Sequence, residues 1–176
     1  MTEATDLLST VVEFSIGLAG FSGVVGIFIN RSGQWIHVDR FRVTNLLVMS
    51  LTPGFLSFVT LGLLPITESA IQISSAIFAA VIALILIIIP RARTKVPARD
   101  QSLVGLHIFV PMSATFLVVL ILQLLVAAAV INSYEFTIYY YSLVVILLLA
   151  VVQFARLILA RPKVSSGKTE DESCES

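Results

Sequence analysis

Residues 13–28 read EFSIGLAGFSGVVGIF, which sets one carboxylate, Glu13, and four glycines, Gly17, Gly20, Gly23 and Gly26, inside a run otherwise soluble in hydrocarbon. The run extends from Leu7 to Ile29. As a helix rising 1.5 Å per residue it covers about 34 Å, enough to cross a hydrocarbon core of about 30 Å. Its acidic flank and long apolar core differ from a cleaved secretory signal, which has a basic start and a short apolar stretch, so it reads as a retained helix.

Four more runs of this kind follow, at 43–64, 70–89, 103–131 and 138–159. The whole chain is 57% hydrophobic and only 12% charged, with a mean hydropathy of +1.00, whereas soluble domains carry about 25% charged residues. A backbone in hydrocarbon must satisfy its own hydrogen bonds, and a β-barrel would show short alternating segments instead. The expected fold is therefore an all-α integral membrane protein. Residues 1–161 form five transmembrane helices, and 162–176, rich in acids and lacking an apolar period, form a disordered tail. Pro53 with Gly54, and Pro111, predict kinks because each proline removes a backbone donor inside a helix.

The 11 lysines and arginines are segregated. Arg31, Arg40 and Arg42 lie in the first connection, Arg91, Arg93, Lys95 and Arg99 in the third, and Arg156, Arg161, Lys163 and Lys168 at the C-terminal end. The N-terminal flank and the second and fourth connections offer only Glu3, Asp6, Glu68 and Glu135. The positive-inside rule then places the N-terminus outside and the C-terminus in the cytoplasm. Trp35, Arg40, Arg42 and Arg156 are expected as headgroup anchors, Arg156 by snorkelling from one turn inside the last span. Separated juxtamembrane cations suit the anionic headgroups of the cytoplasmic leaflet and not nucleic acid.

Helical rotation of about 100° per residue puts Glu13, Gly17, Gly20 and Val24 on one face. Glycines let a neighbouring helix approach closely, and the pairs Ala19/Gly23 and Ser22/Gly26 extend the smooth surface, so all four glycines are expected to pack against the chain's own bundle or a second copy in a homo-oligomer. Glu13 lies about 9 Å below the start of its span. A carboxylate there faces water or other protein, or takes up a proton. Ser57 and Gln123 fall about 10 to 12 Å, and Gln72 about 3 Å, from the corresponding ends of their own spans, and an intramembrane polar site of Glu13, Gln123, Ser57 and Gln72 is expected.

Evidence of a reaction is sparse. The segment GFSG at 20–23 matches the G-x-S-G around the nucleophile of rhomboid intramembrane proteases, and His107 stands at a comparable depth as a candidate base. The match ends with those residues, and Ser22 also reads as a small packing residue. Asp6, Asp39, Asp100 and Asp171 all fall in loops or tails, so no paired-aspartate site forms within the membrane. His37 has no partner at metal-ligand spacing, and no metal or cofactor motif appears. Cys174, the single cysteine, has no internal disulfide partner and sits one position too late for prenylation.

Three readings follow: a non-enzymatic helix-packing or accessory membrane component, a small ion- or proton-coupled permeation unit using Glu13, and an intramembrane serine hydrolase using Ser22 and His107. Taken together, LAGFSGVVGIF at 18–28, Trp35 followed by DRFR at 39–42, and QFARLIL at 153–159 resemble a group of small multi-span bacterial inner-membrane proteins whose activity is uncharacterised. The resemblance implies a bacterial inner-membrane location and carries no activity, substrate or catalytic residue with it.

Overall fold

The computed structural model describes residues 2–29, 37–94, 106–131 and 133–159. They form five helices: α1 (Thr2–Ile29), α2 (His37–Leu63), α3 (Ala70–Thr94), α4 (Leu106–Ala127) and α5 (Glu135–Leu159). Each contains a stretch long and apolar enough to cross a membrane. The expected tail, Trp35 and Cys174 lie outside the described residues.

Hydroxyl side chains inside these helices return their protons to the preceding turn, as expected where water is scarce and the i−4 carbonyl is the nearest acceptor. Thr10 donates to Asp6 O, Ser50 to Leu46 O, Thr115 to Pro111 O and Ser142 to Ile138 O, all at 2.7 to 2.9 Å. α2 runs unbroken through Pro53 and α4 through Pro111.

The fourth span is shorter than its apolar run of 103–131. It stops at Ala127, where Ala129 takes a left-handed conformation (φ 54°). The Val130 N–H then bonds Leu125 O at 3.1 Å and the Ala129 N–H bonds Val126 O at 3.0 Å. This paired closure ends a helix by satisfying its last carbonyls, usually with glycine in the left-handed position. Alanine there hides the stop from a sequence reading based on apolar length. The other short turn, between α2 and α3, is held by the Thr67 N–H to Leu63 O at 3.1 Å and by the Ser69 N–H to Thr67 Oγ1 at 3.2 Å. Both turns lie at one end of the bundle, here termed the hairpin end.

α2, α3, α4 and α5 enclose the core, with Leu46, Met49, Leu56, Phe78, Ile82, Phe116, Leu143 and Ile146 fully buried. α1 lies on the outside of this group, packed most extensively on α2 and to a lesser degree on α5. It reaches α5 through Phe21, whose ring meets that of Phe154 edge-on at 5.5 Å. A seam of Leu8, Val11, Ser15, Ala19, Ser22 and Gly26 is buried on its inner side. Those positions recur every three or four residues, so they line one helix face. Small residues at Ser15, Ala19, Ser22 and Gly26 let the two backbones come close.

Candidate functional site

Contact between α1 and α2 is closest at Ser15 and Gly54. A Cβ on Gly54 would stand 2.7 Å from Ser15 Cβ, and a Cβ on Gly26 3.3 Å from Val43 Cγ1. Those two contacts fix an antiparallel register, eleven residues apart along each helix. The same register sets Glu13 level with Leu56, about 10 Å below the hairpin end of α2.

Glu13 and Ser57 therefore stand at similar depth, whereas Gln72, two residues into α3, lies nearer the hairpin end, and exposure separates Glu13 from the rest. At about 100° per residue, the face holding Glu13, Gly17, Gly20 and Val24 lies roughly opposite the buried seam. Glu13, Gly17, Gly20 and Val24 are exposed, whereas Ser57 and Gln123 are fully buried and Gln72 is half-buried. Glu13 makes no hydrogen bond or ion pair among the described residues, so it joins none of the residues grouped with it. The sequence placed Glu13, Ser57 and Gln123 at one level; the rotation of α1, which equal depths do not determine, separates them.

The glycines divide in a similar way. A side chain on Gly17, Gly20 or Gly23 would meet nothing within 4 Å, and only Gly26 touches a neighbouring helix. Within the chain, the close packing expected of Gly17, Gly20 and Gly23 is made instead by Ser15, Ala19, Ser22 and Gly26. Both faces of α1 are smooth, so residue size alone could not choose between them. The i,i+4 pairs Ser15/Ala19 and Ser22/Gly26 carried the correct signal, and the only glycine of α2 that meets α1, Gly54, was read simply as a companion of Pro53.

The most polar part of the interior lies near the hairpin end. The Tyr139 hydroxyl is 2.7 Å from Thr60 Oγ1 and donates to Leu56 O at 3.2 Å, while Thr60 donates to the same carbonyl at 2.8 Å. Phe78 meets the Tyr139 ring edge-on at 5.7 Å. Ser74 stands beside this hydroxyl without completing a hydrogen bond. Ser57, Ser75 and both amide atoms of Gln123 are likewise buried without partners among the described residues, as is one carboxylate oxygen of Glu135. The sequence reading named Ser57 and Gln123 but missed Thr60, Ser74, Ser75 and Tyr139. Their signal was available as helix spacing: each lies within two turns of the hairpin end of its own helix.

The two candidate catalytic residues lie on different helices, Ser22 on α1 and His107 on α4. Ser22 donates to Leu18 O at 2.6 Å, and α1 has no substantial interface with α4, the helix that carries His107. His107, Arg40 and Arg42 lie on helical backbone, but their side chains are outside the described residues. Arg156 is half-buried in the last turn of α5. One turn earlier, the Gln153 amide donates to Met112 Sδ at 2.8 Å, tying α5 to α4 at the end away from the hairpins.

An apolar cleft of about 590 Å³ runs along α1 and α2, lined by Val12, Ser15, Ile16, Leu51, Phe55 and Phe58. Among the described residues no three His, Cys, Asp or Glu side chains come together as a metal site would require. No protein-family model matches the chain, and comparisons with curated proteins and with solved structures also find no match.

Proposed function

We propose that this chain is a multi-pass protein of a bacterial inner membrane, with its N-terminus outside and its C-terminus in the cytoplasm. It acts as a non-enzymatic helix-packing component that joins a second copy through the outer face of α1. Five apolar helices and the segregated cations support the membrane placement and the orientation. The observation that carries the packing role is Glu13: exposed, without a partner among the described residues, and on the same face as Gly17 and Gly20, where an added Cβ would meet nothing within 4 Å among those residues.

In hydrocarbon a charged side chain at mid-helix costs about 2.5–3.5 kcal/mol on insertion scales, so a covering surface at Glu13 is energetically favoured. Two such faces brought together let the backbones approach at Gly17 and Gly20 and shield the acids from lipid. Anionic headgroups on the cytoplasmic side are the remaining partners, held by Arg40, Arg42 and Arg156. No cofactor is assigned.

Disulfide trapping in native membranes tests the role. With Cys174→Ser as background, Gly17→Cys, Gly20→Cys and Val24→Cys should give cross-linked dimers, while Ala19→Cys and Ser22→Cys, on the opposite face, should not. Equal trapping on both faces, or none at Gly20→Cys, overturns the proposal. A second reading, proton-coupled permeation through an assembly ringed by Glu13, is favoured by the same unpartnered carboxylate. It requires that Glu13→Gln abolish pH-dependent flux in proteoliposomes, whereas the packing role leaves that flux at background in both forms.

A further inference from the structure

Four helices converge on one polar level. Thr60 and Ser57 lie three and six residues from the end of α2, Ser74 and Ser75 four and five from the start of α3, Gln123 four from the end of α4, and Tyr139 four from the start of α5. At 1.5 Å per residue, all sit about 5 to 9 Å inside the hairpin end. α3, carrying the two serines, packs extensively on α4, which carries Gln123.

Counting protons shows what this level lacks. Thr60 spends its single proton on Leu56 O. Tyr139 has one, shared between Thr60 and that same carbonyl. Neither has a donor left for Gln123 Oε1. The serines can turn back to carbonyls of their own helices, as Ser50 and Ser142 do. Gln123 has no such retreat, because its amide carries two N–H donors and an acceptor oxygen, and neither its nitrogen nor its oxygen finds a partner. A buried polar atom left unpaired costs about 1–3 kcal/mol, and native proteins meet that need with water where protein groups do not supply it.

We infer that the Gln123 amide is the centre of a buried water site, in which ordered water bridges Gln123 to the hydroxyls of Ser74 and Ser75. Water suits the chemistry because the unmet groups include both donors and acceptors and carry no net charge, and a buried water commonly makes about three hydrogen bonds. The site is separate from the α1 face: Gln123 is fully enclosed by the bundle, whereas Glu13 lies on its exterior.

Water-to-amide cross-relaxation in the full-length protein, ¹⁵N-labelled at glutamine and reconstituted in lipid nanodiscs, is the test. The side-chain amide of Gln123, assigned through the backbone, should show cross-peaks to water that vanish in Gln123→Leu. Ser74→Ala combined with Ser75→Ala should weaken them at least about twofold, since the bridging water loses its other partners. A wild-type Gln123 amide with no cross-peak to water overturns the inference, and full intensity in the double serine variant overturns the bridge. Should Gln123→Leu fail to fold, the wild-type and serine-variant spectra decide the matter without it.

Discussion

Gly54→Ala adds one methyl group at the point where α1 and α2 come closest. The new Cβ would lie 2.7 Å from Ser15 Cβ and 3.2 Å from Ser15 Oγ, where ordinary contact begins at 3.4 Å. Both carbons are fixed directly to helical backbone, so no side-chain rotation relieves the overlap and α1 must retreat by about 1 Å. A gap of that size forfeits a quarter to a half of the dispersion energy along the contacts it opens. Overpacking of this kind costs about 1–3 kcal/mol, and replacing glycine with alanine inside a helix returns about 1 kcal/mol. The expected net loss is up to about 2 kcal/mol.

Gly20→Ala is the matched control. It has the same chemistry on the other face of α1, where an added Cβ meets no neighbouring atom within 4 Å among the described residues, and so should be neutral or stabilising by up to about 1 kcal/mol. Trp35, the only tryptophan, reports unfolding of the full chain in mild detergent titrated with SDS. Ser15→Gly in the Gly54→Ala background should recover part of the loss, with a coupling of more than about 0.5 kcal/mol, as expected for residues in contact. If Gly54→Ala matched wild type while Gly20→Ala lost stability, the orientation assigned to α1 would be reversed and the proposed exterior face would fall with it.

Other substitutions test separate parts of the structure. Tyr139→Phe removes the hydroxyl shared with Thr60 and Leu56 O, and the same SDS titration should show a loss of about 0.6 to 1.7 kcal/mol, the range found for hydrogen bonds between membrane helices. Ala129→Gly relieves a left-handed residue and should raise the thermal midpoint, gaining up to about 1 kcal/mol after the added chain entropy of glycine is deducted. Ser22→Ala deletes only a bond back to Leu18 O and should leave stability within about 0.5 kcal/mol of wild type. Its labelling by a fluorophosphonate probe should equal that of wild type, and a loss of labelling would revive the hydrolase reading. A cysteine at position 68, introduced as Glu68→Cys over Cys174→Ser, should react with a membrane-impermeant thiol reagent from outside the cell, and reaction only from the cytosol would invert the proposed orientation.

The number of helices was legible because each carries a long apolar run, and polar turns such as Pro65–Ser69 interrupt them. Where the end of a helix depended on one backbone dihedral, as at Ala129, composition carried no mark of it. Depth was legible too, since counting residues along a helix measures distance: Glu13, Ser57 and Gln123 do lie at similar levels. Rotation was not. In a soluble protein the polar face of a helix declares itself, but α1 is apolar or small on every side, and the choice between its faces was made by α2. Gly54, next to the buried Pro53, offers a notch that accepts Ser15, and the small residues one and two turns away follow it into the seam. Glu13 then has only the exterior available. The clearest clue to a partner in this chain thus arises from a packing preference that belongs to a different helix, which explains why reading α1 alone could not say which of its glycines meet the bundle and which face outward.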